Sequence, residues 1–224
     1  MAAGHRRWVR ICHWLVAASF MTLAVSGFFI LMVHPRLYWG EAGNDLTPAL
    51  FELPISRNYQ HRGYDKPMPF FADAAGPVSA VRTYDIFNQN GWGRSLHFLG
   101  AWCLAIPGLI YLLAGVFSGH FRWNILPGGR DLAPGGPNYG VLQKAAYSFV
   151  IFVASPLIVL TGLTMSPAVT AAFPFLLSLF GGQQSARTIH FFAFVALVLF
   201  VVGHVIMVIK SGFKRQIRSM TVGN

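Results

Sequence analysis

The chain has 224 residues, 54% of them hydrophobic and 11% charged, with a formal net charge of +10. A soluble domain carries about 25% charged residues, so this chain lacks the polar surface that a water-facing fold of its length requires. Nor is the positive charge a nucleic-acid footprint, because the basic residues gather at the ends of apolar runs and form no block interleaved with aromatics.

Arg6, Arg7 and Arg10 lead into the first apolar run, 11–33. It is long enough to cross a hydrocarbon core of about 30 Å and too long for a signal-peptide core, so it is read as an uncleaved first helix. The next stretch, 34–93, is sixty residues rich in Pro, Gly, Tyr and charge, far beyond an ordinary connection. Its aromatics (Tyr38, Trp39, Phe51, Tyr59, Tyr64, Phe70, Phe71 and Tyr84) argue against disorder, and it is expected to pack as a cap on the outer surface. Three further spans are predicted at 94–117, 145–169 and 187–209, with Pro107 and Pro156 inside the second and third. Between the last two, 170–186 is uncharged and apolar enough to lie in the membrane interface. Cys12 and Cys103 sit in apolar runs as packing residues, and no C-x-x-C-H for covalent haem attachment occurs. The fold class is therefore all-α: one integral membrane four-helix bundle, 1–224, with a long irregular outer loop between helices 1 and 2.

The connections orient this bundle. The N-terminal tail, the 118–144 connection and the C-terminal tail together hold ten basic residues against one acid, Asp131. The 34–93 loop holds five basic residues and six acids, and 170–186 holds no charge. Positive charge stays inside, which predicts a membrane protein with both termini cytoplasmic.

Four of the eight histidines, His13, His97, His190 and His204, fall within the apolar helices. Ionisable groups in a membrane are expensive and usually functional, although a single one can be a satisfied interhelical hydrogen bond. His190 and His204 are 14 residues apart on the fourth helix, within about 40° of whole turns, so both project from one face. Their axial separation is about 21 Å. Depth along the spans then pairs His97 with His190 in the outer half and His13 with His204 in the inner half, leaving no intramembrane histidine over. Two imidazoles without Cys, Asp or Glu at matching depth leave a bare zinc short of ligands, whereas haem brings four of its own and needs two axial ones. Two haem b groups are the expected cofactors.

Arg10, Arg94 and Arg187 each precede a proposed ligand by three residues, in RICH, RSLH and RTIH, and so share its helix face. Each could bind a haem propionate through its guanidinium fork, the ordinary alternative being a boundary cation that snorkels to water. His204 has only Lys210 nearby. Glycines 27, 100 and 203 could admit a macrocycle close to the backbone. Of the other histidines, His5 and His120 are expected to be solvated, His61 lies in the outer loop, and His34 is read as interfacial.

The R-x-x-H-W start of the first helix (Arg10 to Trp14), the early histidine of the second and the two histidines 14 apart in the fourth resemble the bacterial diheme cytochrome b family. That family supplies membrane subunits to nickel–iron hydrogenases, formate dehydrogenases and thiosulfate reductases. HPRLYWGEAGN (His34 to Asn44) is most similar to the thiosulfate-reductase type. The resemblance implies the same ligand pairs, a quinone site near one haem, and a periplasmic redox subunit carrying molybdopterin or iron–sulfur centres. The long 34–93 loop departs from the hydrogenase and formate dehydrogenase subunits.

The expected function is thus electron transfer between the quinone pool and a periplasmic partner by a diheme subunit in contact with lipid, with room for a homo-oligomer. Two alternatives stand beside it. One is a self-sufficient quinone-linked oxidoreductase, such as a superoxide oxidase, distinguished by the absence of a co-purifying polypeptide. The other is a haem-free proton-relay transporter, distinguished by colourless protein and disfavoured by the lack of intramembrane Asp and Glu.

Overall fold

The computed structural model describes residues 6–43, 47–55, 90–128 and 140–223. Four helices are long and apolar enough to cross a membrane: α1 (Arg7–Val33), α2 (Asn90–Phe117), α3 (Val141–Thr164) and α6 (Gln183–Lys210). Two short helices, α4 (Pro167–Ala172) and α5 (Phe175–Phe180), lie between α3 and α6, and α7 (Phe213–Thr221) closes the chain. The architecture is all-α and multi-pass, as the hydropathy pattern predicts.

Burial follows the logic of a bilayer solvent. On α2, Leu99, Trp102, Ile106, Leu109, Ile110, Leu113 and Val116 are exposed at helical spacing. Ser26, Thr161, Thr164, Ser185 and Thr188 are buried. Lipid is as apolar as leucine, so leucine gains little by facing inward, while small hydroxyl residues allow close helix approach and find internal acceptors. Ser26 Oγ donates to the Thr22 carbonyl at 2.8 Å and Thr164 Oγ1 to the Leu160 carbonyl at 2.9 Å.

The helices begin earlier than the hydropathy boundaries, α1 at Arg7 and α6 at Gln183, because an α-helix needs backbone hydrogen bonds and not apolar side chains. The third span is a larger correction. It runs from 141 to 164 and not from 145 to 169. Ser166, before Pro167, is extended at φ −93° and ψ 114°, as a residue preceding proline prefers, and Pro167 starts α4 in the first helical position. Within α3, Val150–Ala154 is π-helical, and the Ser155 N–H donates to the Val150 carbonyl. Pro156 has no N–H for the Phe152 carbonyl and crowds it sterically, and the wider turn just before it relieves that conflict.

The described part of the connection after α1 is ordered around a two-residue antiparallel ladder, β1 (Arg36–Leu37) with β2 (Phe51–Glu52), in the register Arg36–Glu52 and Leu37–Phe51. Leu37 and Tyr38 are buried. Tyr59, His61, Tyr64, Phe70, Phe71 and Tyr84 lie outside the described residues, as does His5.

The helices pass through two compact units. One comprises Met1–Val16, Ala105–Val159 and Phe191–Asn224; the other comprises Ala17–Leu104 and Leu160–His190. Each contains stretches of all four long helices.

Candidate functional site

The second unit holds His97 on α2 and His190 on α6, with ring centres 6.3 Å apart. Both rings are tied at Nδ1 by a hydroxyl from another helix. Ser26 Oγ of α1 lies 3.0 Å from His97 Nδ1, and Thr161 Oγ1 of α3 lies 3.0 Å from His190 Nδ1. The Ser26 hydroxyl proton is directed at the Thr22 carbonyl, so its oxygen accepts from the His97 Nδ1–H. That tautomer leaves the Nε2 lone pair of His97 for a metal, and an Nδ1–H donated to an oxygen is the usual orienting contact of a ligating imidazole.

Each hydroxyl residue is followed by a glycine under the same ring. A Cβ at Gly27 would stand 3.3 Å from His97 Cε1, and one at Gly162 would stand 3.4 Å from His190 Cε1. Ser26-Gly27 and Thr161-Gly162 therefore make matching seats, one per imidazole. Gly27 stands out in the sequence beside a candidate ligand stretch, whereas Ser26, Thr161 and Gly162 do not. The available signal was a hydroxyl residue followed by glycine, occurring once in the apolar run of the first helix and once in that of the third. Gly100 meets Leu23 side-chain atoms, and a Cβ at Gly203 would meet nothing within 4 Å.

The segment after α1 fixes the start of α6, seven residues before His190. The Gly40 carbonyl accepts from the backbone N–H groups of Gln184 and Ser185 at 2.9 and 3.2 Å, and Ser185 Oγ accepts from the Gly40 N–H at 2.7 Å. These are the N–H groups that a helix start leaves without intrahelical partners. Thr188 Oγ1 donates to the Tyr38 carbonyl at 2.6 Å, and Arg187 Nη2 donates to the His34 carbonyl. Arg187 is thus engaged by the loop through one nitrogen, while Arg94 is exposed three residues before His97.

The first unit holds His13 on α1 and His204 on α6, with ring centres 6.2 Å apart. His204 stacks on Phe200 at 5.9 Å and 16° and meets Tyr147 edge-on at 6.2 Å, and Trp14 meets His13 edge-on at 5.3 Å. His204 Nδ1 is buried without a hydrogen-bond partner among the described residues, as is Arg10 Nε. Arg10 Nη1 donates to the Thr221 carbonyl at 3.0 Å and Trp14 Nε1 to the Met220 carbonyl at 2.9 Å. Lys210 is exposed. His120, expected in water, lies instead among aromatic rings, 5.5 Å from Trp8, 6.0 Å from Phe121 and 6.1 Å from Tyr111.

Each pair brings imidazoles from two different helices to 6.2 or 6.3 Å, ring centre to ring centre, so that both members of a pair could be ligands of one group. Among the described residues no group of three or more His, Cys, Asp or Glu could hold a metal ion; two imidazoles per site would suit a group that brings further ligands of its own, as haem does.

Comparison with known proteins agrees in kind. A family model described as prokaryotic cytochrome b561 matches residues 4–223. A putative protein-methionine-sulfoxide reductase subunit, YedZ1, of Azospira oryzae is 31% identical over 225 residues, covering 91% of this chain and 89% of that protein. No solved structure matches. With four membrane helices and a family match over nearly its whole length, the chain belongs to the prokaryotic cytochrome b561 family.

Proposed function

We propose that this chain, acting as one domain, is a diheme b-type cytochrome that carries electrons between the quinone pool and a redox partner. The observation that carries this reading is the ring-centre spacing of the two histidine pairs, 6.2 and 6.3 Å. His13 with His204 would hold one haem and His97 with His190 the other. Bound haem supplies one-electron redox chemistry at iron, which the protein tunes through ligand basicity, nearby charge and dryness.

The residues divide that task. Ser26 orients His97 and makes its imidazole more electron-rich, which favours the oxidised iron. Thr161, with Oγ1 3.0 Å from His190 Nδ1, orients that ring. Gly27 and Gly162 keep the ring edges clear of side chains. Phe200, Tyr147 and Trp14 pack their rings against the other pair and restrict its imidazoles. Arg94 is the arginine whose fork is most available to a propionate, since Arg10 and Arg187 each commit a nitrogen to a backbone carbonyl.

The basic tails support placement in the bacterial inner membrane with both termini cytoplasmic. The name of the Azospira relative points to a partner that reduces methionine sulfoxide. One quinol would release two electrons and two protons, and the partner would consume the same number in converting a sulfoxide to a thioether and water. A molybdopterin centre in that partner suits such two-electron chemistry, and an iron–sulfur centre there would relay single electrons to it.

The test is a dithionite-reduced-minus-oxidised spectrum with pyridine haemochrome quantification on the purified chain. The expected result is two b haems per chain. One haem would remove one of the pairs, and none, in cells supplied with haem, would overturn the reading. Affinity purification from native membranes should also bring down a second polypeptide; its consistent absence would favour the self-sufficient oxidoreductase.

A further inference from the structure

The C-terminal helix α7 is built differently from the four spans. Its nine residues, FKRQIRSMT, place Phe213, Ile217 and Met220 on one side and Lys214, Arg215 and Arg218 on the other. The chain turns into it through Gly212, at φ +98°, immediately after α6 ends at Lys210. Its far end is fastened to α1 through the Arg10–Thr221 and Trp14–Met220 bonds, which occupy two of the carbonyls that a helix end leaves open. Gly223, at φ +83°, closes the last turn by donating its N–H to the Arg218 carbonyl.

Among the described residues of its unit, the charge on this helix has no counterpart. Lys214, Arg215 and Arg218 are exposed, as are Lys210, Arg6 and Arg7. The described residues of that unit contain no Asp or Glu. Arg215 spends one nitrogen on the Ser211 carbonyl at 2.6 Å, which anchors its stem and keeps the group at the end of the span. Phe213 is exposed on the apolar side, while Ile217 and Met220 are half-buried. A helix with this division, joined directly to the end of a membrane span, belongs at the headgroup level, with its apolar side toward acyl chains and its cations toward phosphate.

We propose that α7 is a binding surface for anionic phospholipid, with Lys214, Arg215 and Arg218 engaging headgroup phosphates and Phe213 entering the acyl boundary. Arg10 and Trp14 hold the helix at that level, and Trp14 also meets the His13 ring edge-on.

The experiment is amide hydrogen exchange over residues 213–221 of the full-length protein in nanodiscs of phosphatidylcholine alone or with phosphatidylglycerol. Each basic contact with an anionic leaflet changes partitioning by about fivefold, from about 1 kcal/mol per residue. Phosphatidylglycerol is therefore expected to slow exchange at least fivefold, and the slowing should vanish in the triple variant K214Q/R215Q/R218Q. The conservative R215K/R218K variant should retain it. Equal exchange in both nanodiscs, or undiminished slowing in the triple variant, would overturn the proposal. Slowing by inorganic phosphate in phosphatidylcholine nanodiscs would also overturn it, by assigning the cations to a soluble anion. The readout does not require haem, so it stands apart from the electron-transfer reading.

Discussion

At the scale of single residues, the Ser26-Gly27 and Thr161-Gly162 seats make the sharpest claims. Ser26→Ala would remove the acceptor of the His97 Nδ1–H and make the imidazole a poorer donor to iron. Loss of such an orienting partner weakens metal retention by about 10–100-fold. The midpoint of that haem should rise, because the oxidised iron loses more stabilisation than the reduced. A redox titration showing both midpoints unchanged would remove the role assigned to Ser26. Gly27→Leu places a branched side chain where a Cβ already stands 3.3 Å from His97 Cε1. It is expected to halve the haem content while leaving the His13–His204 pair occupied, read by haemochrome assay and by loss of one midpoint. Arg94→Gln should lower the midpoint of the nearer haem, since a neighbouring cation disfavours the more positive oxidised iron. At this scale the histidines were legible because an imidazole in an apolar run has few reasons to be there. The hydroxyls were not, because serine and threonine are ordinary in membrane helices, and helix rotation selects which of them meets a ring.

Secondary-structure elements carry a different kind of information. The spans were visible as runs of hydropathy, but their ends were not, since Arg7, Arg10 and Gln183 extend helices without extending apolarity. Pro167 stopped the third span five residues before the hydropathy did, through the extended conformation it imposes on Ser166. Nor did the composition of the 34–93 stretch reveal that residues 34–41 hold the start of α6. That role rests on the Gly40 carbonyl, the Ser185 hydroxyl and the close approach of Gly182, at φ +110°, where a Cβ would stand 2.5 Å from the Gly40 carbonyl carbon. Thr188→Val would leave the Tyr38 carbonyl without its 2.6 Å donor. The expected cost is about 1–3 kcal/mol, the penalty of a buried carbonyl without its partner. Thermal unfolding of the purified protein should move to lower temperature, and an unchanged midpoint would mean that water replaces the hydroxyl there. Gly182→Ala should be more damaging, because it meets backbone and adopts a conformation that L side chains rarely take.

For the whole molecule, the two histidine pairs predict a simple pattern. His13→Ala and His97→Ala should each leave one haem per chain, with different midpoints surviving, and the double variant should leave none. If either single variant lost both haems, the pairs would not be independent sites. The distribution of basic residues predicts that a fluorescent protein fused after Asn224 matures, whereas an alkaline phosphatase at the same place stays inactive; the opposite outcome would invert the orientation. Membrane insertion, the number of spans and the candidate ligands followed from the amino-acid sequence alone. Water-to-lipid transfer acts on each segment independently, and a costly imidazole in an apolar run stands out without knowledge of its neighbours. Tertiary structure decided which hydroxyls face the rings, which glycines seat them, that Arg10 and Arg187 reach backbone carbonyls, and that a loop caps the start of α6. Those choices depend on helix rotation and on contacts between residues as far apart as Gly40 and Ser185, where geometry in three dimensions, and not local preference, selects the partner.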